Sequence, residues 1–364
     1  MRRNYGIELI TKNTKYHESR ITWSEKTYED PSLLPHRYVF ILTNRCNLRC
    51  SFCFQEKNRI AGSMTTLEWK NLIDQLPNYA HVTLTGGEPF IFKGFKEVFL
   101  KVTEKLTCNI ISNGLLLNED LIDLLLERKN FEVLSISFDN IGNTLRDVPT
   151  EKWNRTEEML KLFIEKRNDK EASQLLDMKT VILDENSKDL FEIYKYCKEV
   201  LKADTHSFMF LKGHPIQHSD IMFPLEAINS LSEAHIYADL DLIRNQLEMV
   251  RAYNIKNGVY SYTHPKFINL NSTTPLTPKD FQLINEKDHI PELFQNCKAP
   301  WASVHINVDG NLFPCMAINT GNVKKTSLSS IIHGKVFSEF KEEIRRCGTI
   351  SGCNRCGYLL KKTT

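Results

Sequence analysis

The chain has 364 residues, 41% hydrophobic and 25% charged, enough for one large core plus a smaller unit. Its 47 Lys and Arg against 45 Asp and Glu leave a net charge of +2, which excludes a strong global field of the kind that marks nucleic-acid or membrane-surface binders and favours a small or neutral partner. No window reaches the roughly 18 apolar residues of a membrane span, and the two arginines of MRRNYGIELI precede no signal-type apolar run, so a cytoplasmic protein away from membranes is expected.

Residues 1–35 read as an N-terminal extension. From about residue 36 short β-rich runs alternate with helical stretches. Strands are expected at 37–43 (RYVFILT), 81–86 (HVTLTG), 108–112 (CNIIS), 132–139 (EVLSISFD), 177–183 (DMKTVIL) and 205–211 (THSFMFL). Between them, stretches such as TLEWKNLIDQL and NEDLIDLLLERKN repeat apolar residues at three and four, the period of an amphipathic helix. This alternation over residues 36–212 predicts a parallel sheet with crossover helices, either doubly wound or a closed or partly closed barrel.

Residues 213–296 break the rhythm with mixed, mostly helical pieces. They are too many for a linker, since connections in compact domains run to about 4 to 6 residues. The segment is expected either to fold over the barrel mouth, where Tyr260, Tyr262, His264 and Phe267 would suit an extended, partly apolar ligand, or to pack as a satellite helical pair. His214 and His218, four apart with Pro215 between them, read as solvated loop residues. Residues 297–364 form a small unit with two short strands around the Asp309–Gly310 turn and then a helix in HGKVFSEFKEEIRR.

Ten cysteines are many for a reduced compartment, where metal ligation or catalysis is their commoner use. Cys108, in an apolar strand, and Cys197, on an apolar helix face, read as buried packing residues. Cys46, Cys50 and Cys53 stand in NRCNLRCSFCF at the carboxyl end of the first strand, where α/β folds place active sites. Three thiolates without a fourth leave one coordination position for something exogenous, the arrangement of a catalytic site and not of a closed structural one. CNLRCSFC resembles the CxxxCxxC signature of radical S-adenosylmethionine (SAM) enzymes, with Phe52 as the aromatic residue before the last cysteine. The resemblance implies a 4Fe-4S cluster held by the three cysteines, with the amino and carboxylate groups of SAM on the fourth iron. One electron then cleaves SAM to a 5′-deoxyadenosyl radical that abstracts hydrogen from a substrate.

The other strand ends agree with this resemblance. TGGEP follows the second strand as the family's GGE motif does, so Gly86, Gly87, Glu88 and Pro89 are carried over. The glycines would let the backbone approach the ligand's amino group, and Glu88 would offer it a carboxylate. ISNG and SISFD close the third and fourth strands, adding Ser112, Asn113, Ser137 and Asp139 as cofactor-binding candidates. The fold implied is α/β, a partial (β/α)6 TIM-type barrel over residues 36–212 with a small C-terminal α+β auxiliary-cluster domain at 297–364.

Cys297 and Cys315, with Gly310 between them, look like the opening of a SPASM or twitch auxiliary-cluster domain, and Cys347, Cys353 and Cys356 follow. A full SPASM domain carries seven cysteines for two clusters; five fit a single-cluster version. The expected second ligand set is Cys297, Cys315, Cys353 and Cys356, with Cys347 as a spare or substituting ligand. A zinc ribbon is the alternative use of the same cysteines, since hairpin and CxxC pairs also bind zinc. The resemblance suggests a peptide or protein substrate, with a small sugar-like or amino-acid-derived metabolite as the alternative, and reduced flavodoxin or ferredoxin as electron donor. No nucleic-acid partner is expected, because an RNA-modifying enzyme would need a basic surface.

Overall fold

The structure, a computed structural model, describes residues 22–53, 55, 62–212, 216–217, 221–229, 234–286 and 290–362. His214, His218 and most of the N-terminal extension fall outside these residues. Six strands follow one another in parallel: β1 (Arg37–Ile41), β2 (His81–Thr85), β3 (Thr107–Ser112), β4 (Phe131–Ser137), β5 (Leu175–Ile182) and β6 (Thr205–Phe210). The crossovers are α1 (Thr66–Ile73), α2 (Phe95–Lys105), α3 (Glu119–Leu126), α4 (Thr150–Asp169) and α5 (Leu190–Glu199). Local chemistry sets their starts. Thr65 and Glu68 form a reciprocal capping box at α1, and the Asn118 side chain accepts from Leu121 N at α3.

Alternation along the strands divides the sheet into two unlike faces. Tyr38, Phe40, Val82, Leu84, Cys108, Ile110, Leu134 and Ile136 join the helices in the main core, which also holds Cys197. Both isolated cysteines are therefore packing residues, as their apolar surroundings predict. The opposite face is polar: Thr83, Asn109, Ser135, Asp177 and Ser207 line it, with Asp177 accepting from Ser135 Oγ (3.0 Å), Thr205 Oγ1 (2.8 Å) and Ser207 Oγ (3.1 Å) and pairing with Lys179 Nζ at 2.9 Å. Burial opposes the Asp177 charge, but Lys179 and the hydroxyl donors outweigh it and hold its pKa below the usual carboxylate range.

The sheet does not stop at six strands. β7 (Tyr262–His264), from the intervening segment, pairs parallel with β6; β8 (Ser303–Ile306), from the C-terminal unit, pairs parallel with β1. β9 (Asn311–Phe313) returns antiparallel across Asp309–Gly310 and pairs with β10 (Gly321–Asn322), giving the order β10-β9-β8-β1-β2-β3-β4-β5-β6-β7. The expected boundaries at 212 and 297 are thus crossed by one hydrogen-bonded sheet. The physical reason is that a partial barrel ends in two rows of unpaired backbone groups, and later segments satisfy them.

The intervening segment contributes α6 (Leu240–Asn257) and α7 (Pro278–Asn285). These pack Ile243, Leu247, Val250, Phe281 and Ile284 against Ile182, Tyr194, Phe208 and Phe210 in a second core. The satellite-pair expectation describes these helices, and the expected cover over the mouth is corrected for them: their apolar faces are spent against β5, β6 and α5. The C-terminal unit adds α8 (Ala299–Ala302), α9 (Leu328–Ile332) and the amphipathic α10 (Lys335–Cys347), which buries Phe337, Phe340 and Ile344.

Candidate cofactor site and auxiliary thiol site

The loop after β1 carries Cys46, Cys50 and Cys53, and the loop after β2 lies directly on it. Gly87 N donates to Thr43 O at 2.7 Å and Glu88 N to Arg45 O at 2.9 Å. A Cβ at Gly86, whose φ is +150°, would sit 2.4 Å from Thr43 O, and one at Gly87 would sit 2.3 Å from Arg45 O. The cysteine loop packed against the two glycines leaves no room for a side chain at either.

Glu88 is held at the same junction. Its carboxylate is fully buried and accepts from Ser112 Oγ (2.9 Å), Asn113 N (2.8 Å) and Phe90 N (3.2 Å), the last capping the short turn begun by Pro89. Burial pushes its pKa up to about 7 against these hydrogen bonds. It ties the ends of β2 and β3 together. Asn113 continues the tie, with Nδ2 at 2.7 Å from Asn47 Oδ1 and 3.7 Å from Cys46 Sγ, a donor aimed at a sulfur. The amide of Leu48 also reaches Cys46 Sγ at 3.4 Å.

At the end of β4 the Ser137 carbonyl accepts from Asn143 Nδ2 at 3.2 Å, while the partly buried Ser137 hydroxyl makes no hydrogen bond among the described residues. Asp139 is fully buried; Oδ1 accepts from Val181 N at 2.6 Å and Oδ2 meets Arg146 Nε at 2.5 Å. Burial raises its pKa, and Arg146 is the main opposing influence. Arg146 is the functional residue that the motifs did not mark. Its Nη1 lies 3.8 Å from Cys50 Sγ and its guanidinium 5.2 Å from the centroid of the Phe52 ring. The signal available was the short loop DNIGNTLRD, whose Asn143 and Asp147 both take left-handed φ around the single turn Thr144–Arg146 and so aim this side chain.

The three thiols influence one another: Cys53 and Glu88 oppose ionisation at Cys46, and Cys53, Asp139 and Cys46 oppose it at Cys50, where Arg146 favours it. Burial is the leading cause that raises both pKa values. Thiols, a guanidinium, amide donors, the Ser137 hydroxyl and the buried Asn44 Nδ2, which has no hydrogen-bond partner among the described residues, together fit a thiolate-ligated cluster with a polar ligand beside it.

The second thiol set is held by the C-terminal unit. Cys353 N donates to Ile350 O (2.8 Å), Cys356 N to Cys353 O (2.9 Å) and Cys297 N to Gly348 O (2.9 Å). Cys353 belongs to one apolar cluster against which Cys297, Cys315 and Cys356 pack; the other three oppose ionisation at Cys315, and burial, with Cys356 adding to it, pushes Cys297 up to about 12. Cys347 is not in that mutual set. The expected spare thiol lies at the end of α10, where its Sγ donates to Glu343 Oε1 at 3.4 Å. Among the described residues no three His, Cys, Asp or Glu side chains sit close enough to hold a single metal ion.

Comparison with known proteins places these two thiol sets in two families. The family described as the radical SAM superfamily matches residues 40–197, and the one described as an iron–sulfur cluster-binding (SPASM) domain matches 297–357. The sporulation killing factor maturation protein SkfB of Bacillus subtilis is 28% identical over 220 residues, covering 57% of this chain and 51% of that protein. The antilisterial bacteriocin subtilosin biosynthesis protein AlbA of Bacillus subtilis is 30% identical over 118 residues, 31% of this chain and 26% of that one. The chain thus spans about half the length of the first relative and a quarter of the second. Among solved structures, Streptococcus suis SuiB bound to precursor peptide SuiA matches with a TM-score of 0.62 at 17% identity, covering 94% of this chain and 76% of that one, a likeness of fold.

Proposed function

The chain belongs to the radical SAM superfamily of enzymes and carries a SPASM-type iron–sulfur cluster-binding domain, and from that premise we propose that it modifies a peptide substrate, by crosslinking, thioether formation, epimerisation or maturation oxidation. The observation that carries the reading is the placement of the second thiol set at the two edges of the partial barrel. Cys315 follows the β8–β9 hairpin that extends β1, and Arg355, between Cys353 and Cys356, donates to Leu211 O at the end of β6 at 3.3 Å. A substrate within the barrel would lie between both thiol sets. The names of SkfB, AlbA and peptide-bound SuiB support a peptide over a small metabolite.

Cys46, Cys50 and Cys53 would hold the first 4Fe-4S cluster, and Cys297, Cys315, Cys353 and Cys356 the auxiliary one. When bound, the first cluster and SAM supply a 5′-deoxyadenosyl radical able to take a hydrogen atom from an unactivated carbon. Asn113 and Leu48 donate toward Cys46 and orient its loop. Asp139 holds Arg146 against Cys50, so a fixed positive charge faces the place where anionic groups of the cofactor gather. Ser137 offers its hydroxyl at the strand end. On the inner face, Lys179, Asp177, Ser135 and Ser207 give the substrate chamber a polar wall whose groups are already hydrogen-bonded, so it stays rigid. The electron donor proposed is reduced flavodoxin or ferredoxin, and the ten free thiols suit a cytoplasmic setting.

The test is anaerobic reconstitution with iron and sulfide, then incubation with SAM, reductant and candidate precursor peptides. Formation of 5′-deoxyadenosine together with a peptide mass change, such as the loss of two hydrogens on thioether formation or the gain of one mass unit at an epimerised centre in heavy water, supports the proposal. Turnover of a small alcohol or amino sugar with no change in any peptide would replace it by the metabolite reading.

A further inference from the structure

One residue beyond β6, three parts of the chain meet. Leu211 donates its amide to Tyr237 Oη at 2.8 Å and accepts at its carbonyl from Arg355 Nη1. Arg355 is 1% exposed and also donates to Ile284 O at 2.7 Å and to His235 O. Gly357 closes the same corner: a Cβ there would lie 1.9 Å from His264 Nδ1, and His264 is the β7 partner of Met209 on β6. The CxxC loop is thereby fastened to the carboxyl end of β6, and the next side chain on that end is Lys212.

Lys212 is partly buried, and among the described residues it has no ion pair with a carboxylate. Burial works against its charge; Cys356, Tyr358 and Cys315 favour it, and Arg37 opposes it. Arg37, brought from β1, is engaged with Ser303 Oγ at 3.0 Å. His305, whose Nδ1 lies 2.9 Å from Pro314 O, is kept neutral by burial and by the charges of Arg37 and Lys212, so it adds no positive charge of its own. Lys212 is thus anchored through its neighbour Leu211 to Arg355 of the CxxC loop, where the charges acting on it are those of Cys356, Arg37, Tyr358 and Cys315.

We propose that Lys212 is the built-in counter-charge of the auxiliary 4Fe-4S cluster and holds its reduction potential up. The inference rests on the reading that Cys297, Cys315, Cys353 and Cys356 hold such a cluster. One-electron reduction of a four-thiolate cluster adds one negative charge to an already anionic group, and a fixed ammonium beside it stabilises the reduced form more than the oxidised one. A higher potential makes the cluster a better acceptor for the electron released when a substrate radical is oxidised and loses a proton.

The experiment compares the full wild-type chain with Lys212→Met, which keeps length and apolar packing, and Lys212→Arg, which keeps charge. Each is reconstituted, assayed for iron and titrated potentiometrically with detection by electron paramagnetic resonance. The expected result is a shift of the auxiliary midpoint to more negative potential in K212M, a midpoint near wild type in K212R, and no change at the first cluster. Auxiliary iron lost from K212M but retained in K212R also supports a need for charge. An unmoved auxiliary midpoint in K212M, or equal loss of auxiliary iron in both variants, overturns the proposal. A wild-type chain that binds only about four irons, against eight for two such clusters, removes the cluster reading itself and is distinguishable from failure of the potential to move.

Discussion

The backbone amide of Asn113 donates to the Glu88 carboxylate at 2.8 Å, tying the loop after β3 to the loop after β2 beside the cysteine loop. With burial raising the Glu88 pKa from 4.5 to about 7, the folded chain binds this proton more tightly than the unfolded chain does. Stability from this group is therefore fully present below about pH 4.5 and is lost as pH rises through about 7. The whole shift corresponds to about 3 kcal/mol, an upper bound for a buried, multiply hydrogen-bonded acid. In the cluster-free chain, denaturant midpoints measured between pH 5 and pH 8 should fall more steeply for wild type than for Glu88→Gln. Parallel slopes would show that Glu88 does not titrate in this window.

Removing Arg146 strands Asp139 as a buried, unpaired carboxylate. Arg146→Met should lower stability by about 3 kcal/mol, and adding Asp139→Asn should recover a large part of that loss, because the uncompensated charge is gone. Urea unfolding of the two single variants and the double variant measures the coupling. Additive losses would mean that the pair seen at 2.5 Å contributes nothing specific.

Replacing Cys46, Cys50 and Cys53 together with alanine should abolish 5′-deoxyadenosine formation under strong reductant and lower bound iron from about eight per chain to about four. Retained cleavage would remove the assignment of the first cluster. Cys347→Ala should leave iron content unchanged, since its Sγ is engaged by Glu343; a drop toward four irons would return it to the ligand set.

Gly357→Ala would place a methyl group where His264 Nδ1 now lies. The forced movement of the imidazole should cost about 1–3 kcal/mol by overpacking and weaken retention of auxiliary iron, while the first cluster loads normally. Iron release to a chelator, followed for both clusters by their absorbance, tests it. Equal release from wild type and variant would mean that the β7 edge gives way freely.

Much of the chemistry was legible along the chain because it is local. Three thiols within eight positions, a GGE turn after one strand, and serine, asparagine and aspartate at the next strand ends all reflect short-range spacing on a repeating β-α pattern. The six strands of the partial barrel, their parallel order and the packing roles of Cys108 and Cys197 followed from the same periodicity. Tertiary structure alone decided which polar groups face one another. Glu88 and Asp139 have the composition of ligand-binding residues, yet each is committed to partners 25 and 42 positions away. Arg146 carries no motif and becomes part of the site only because Asp139 turns it toward Cys50. Likewise the sequence separates a barrel, an insert and a cysteine-rich tail, whereas hydrogen bonding joins β7 to β6 and β8 to β1. Periodicity records which face of a strand is buried; it carries no information about which distant strand will satisfy an open edge.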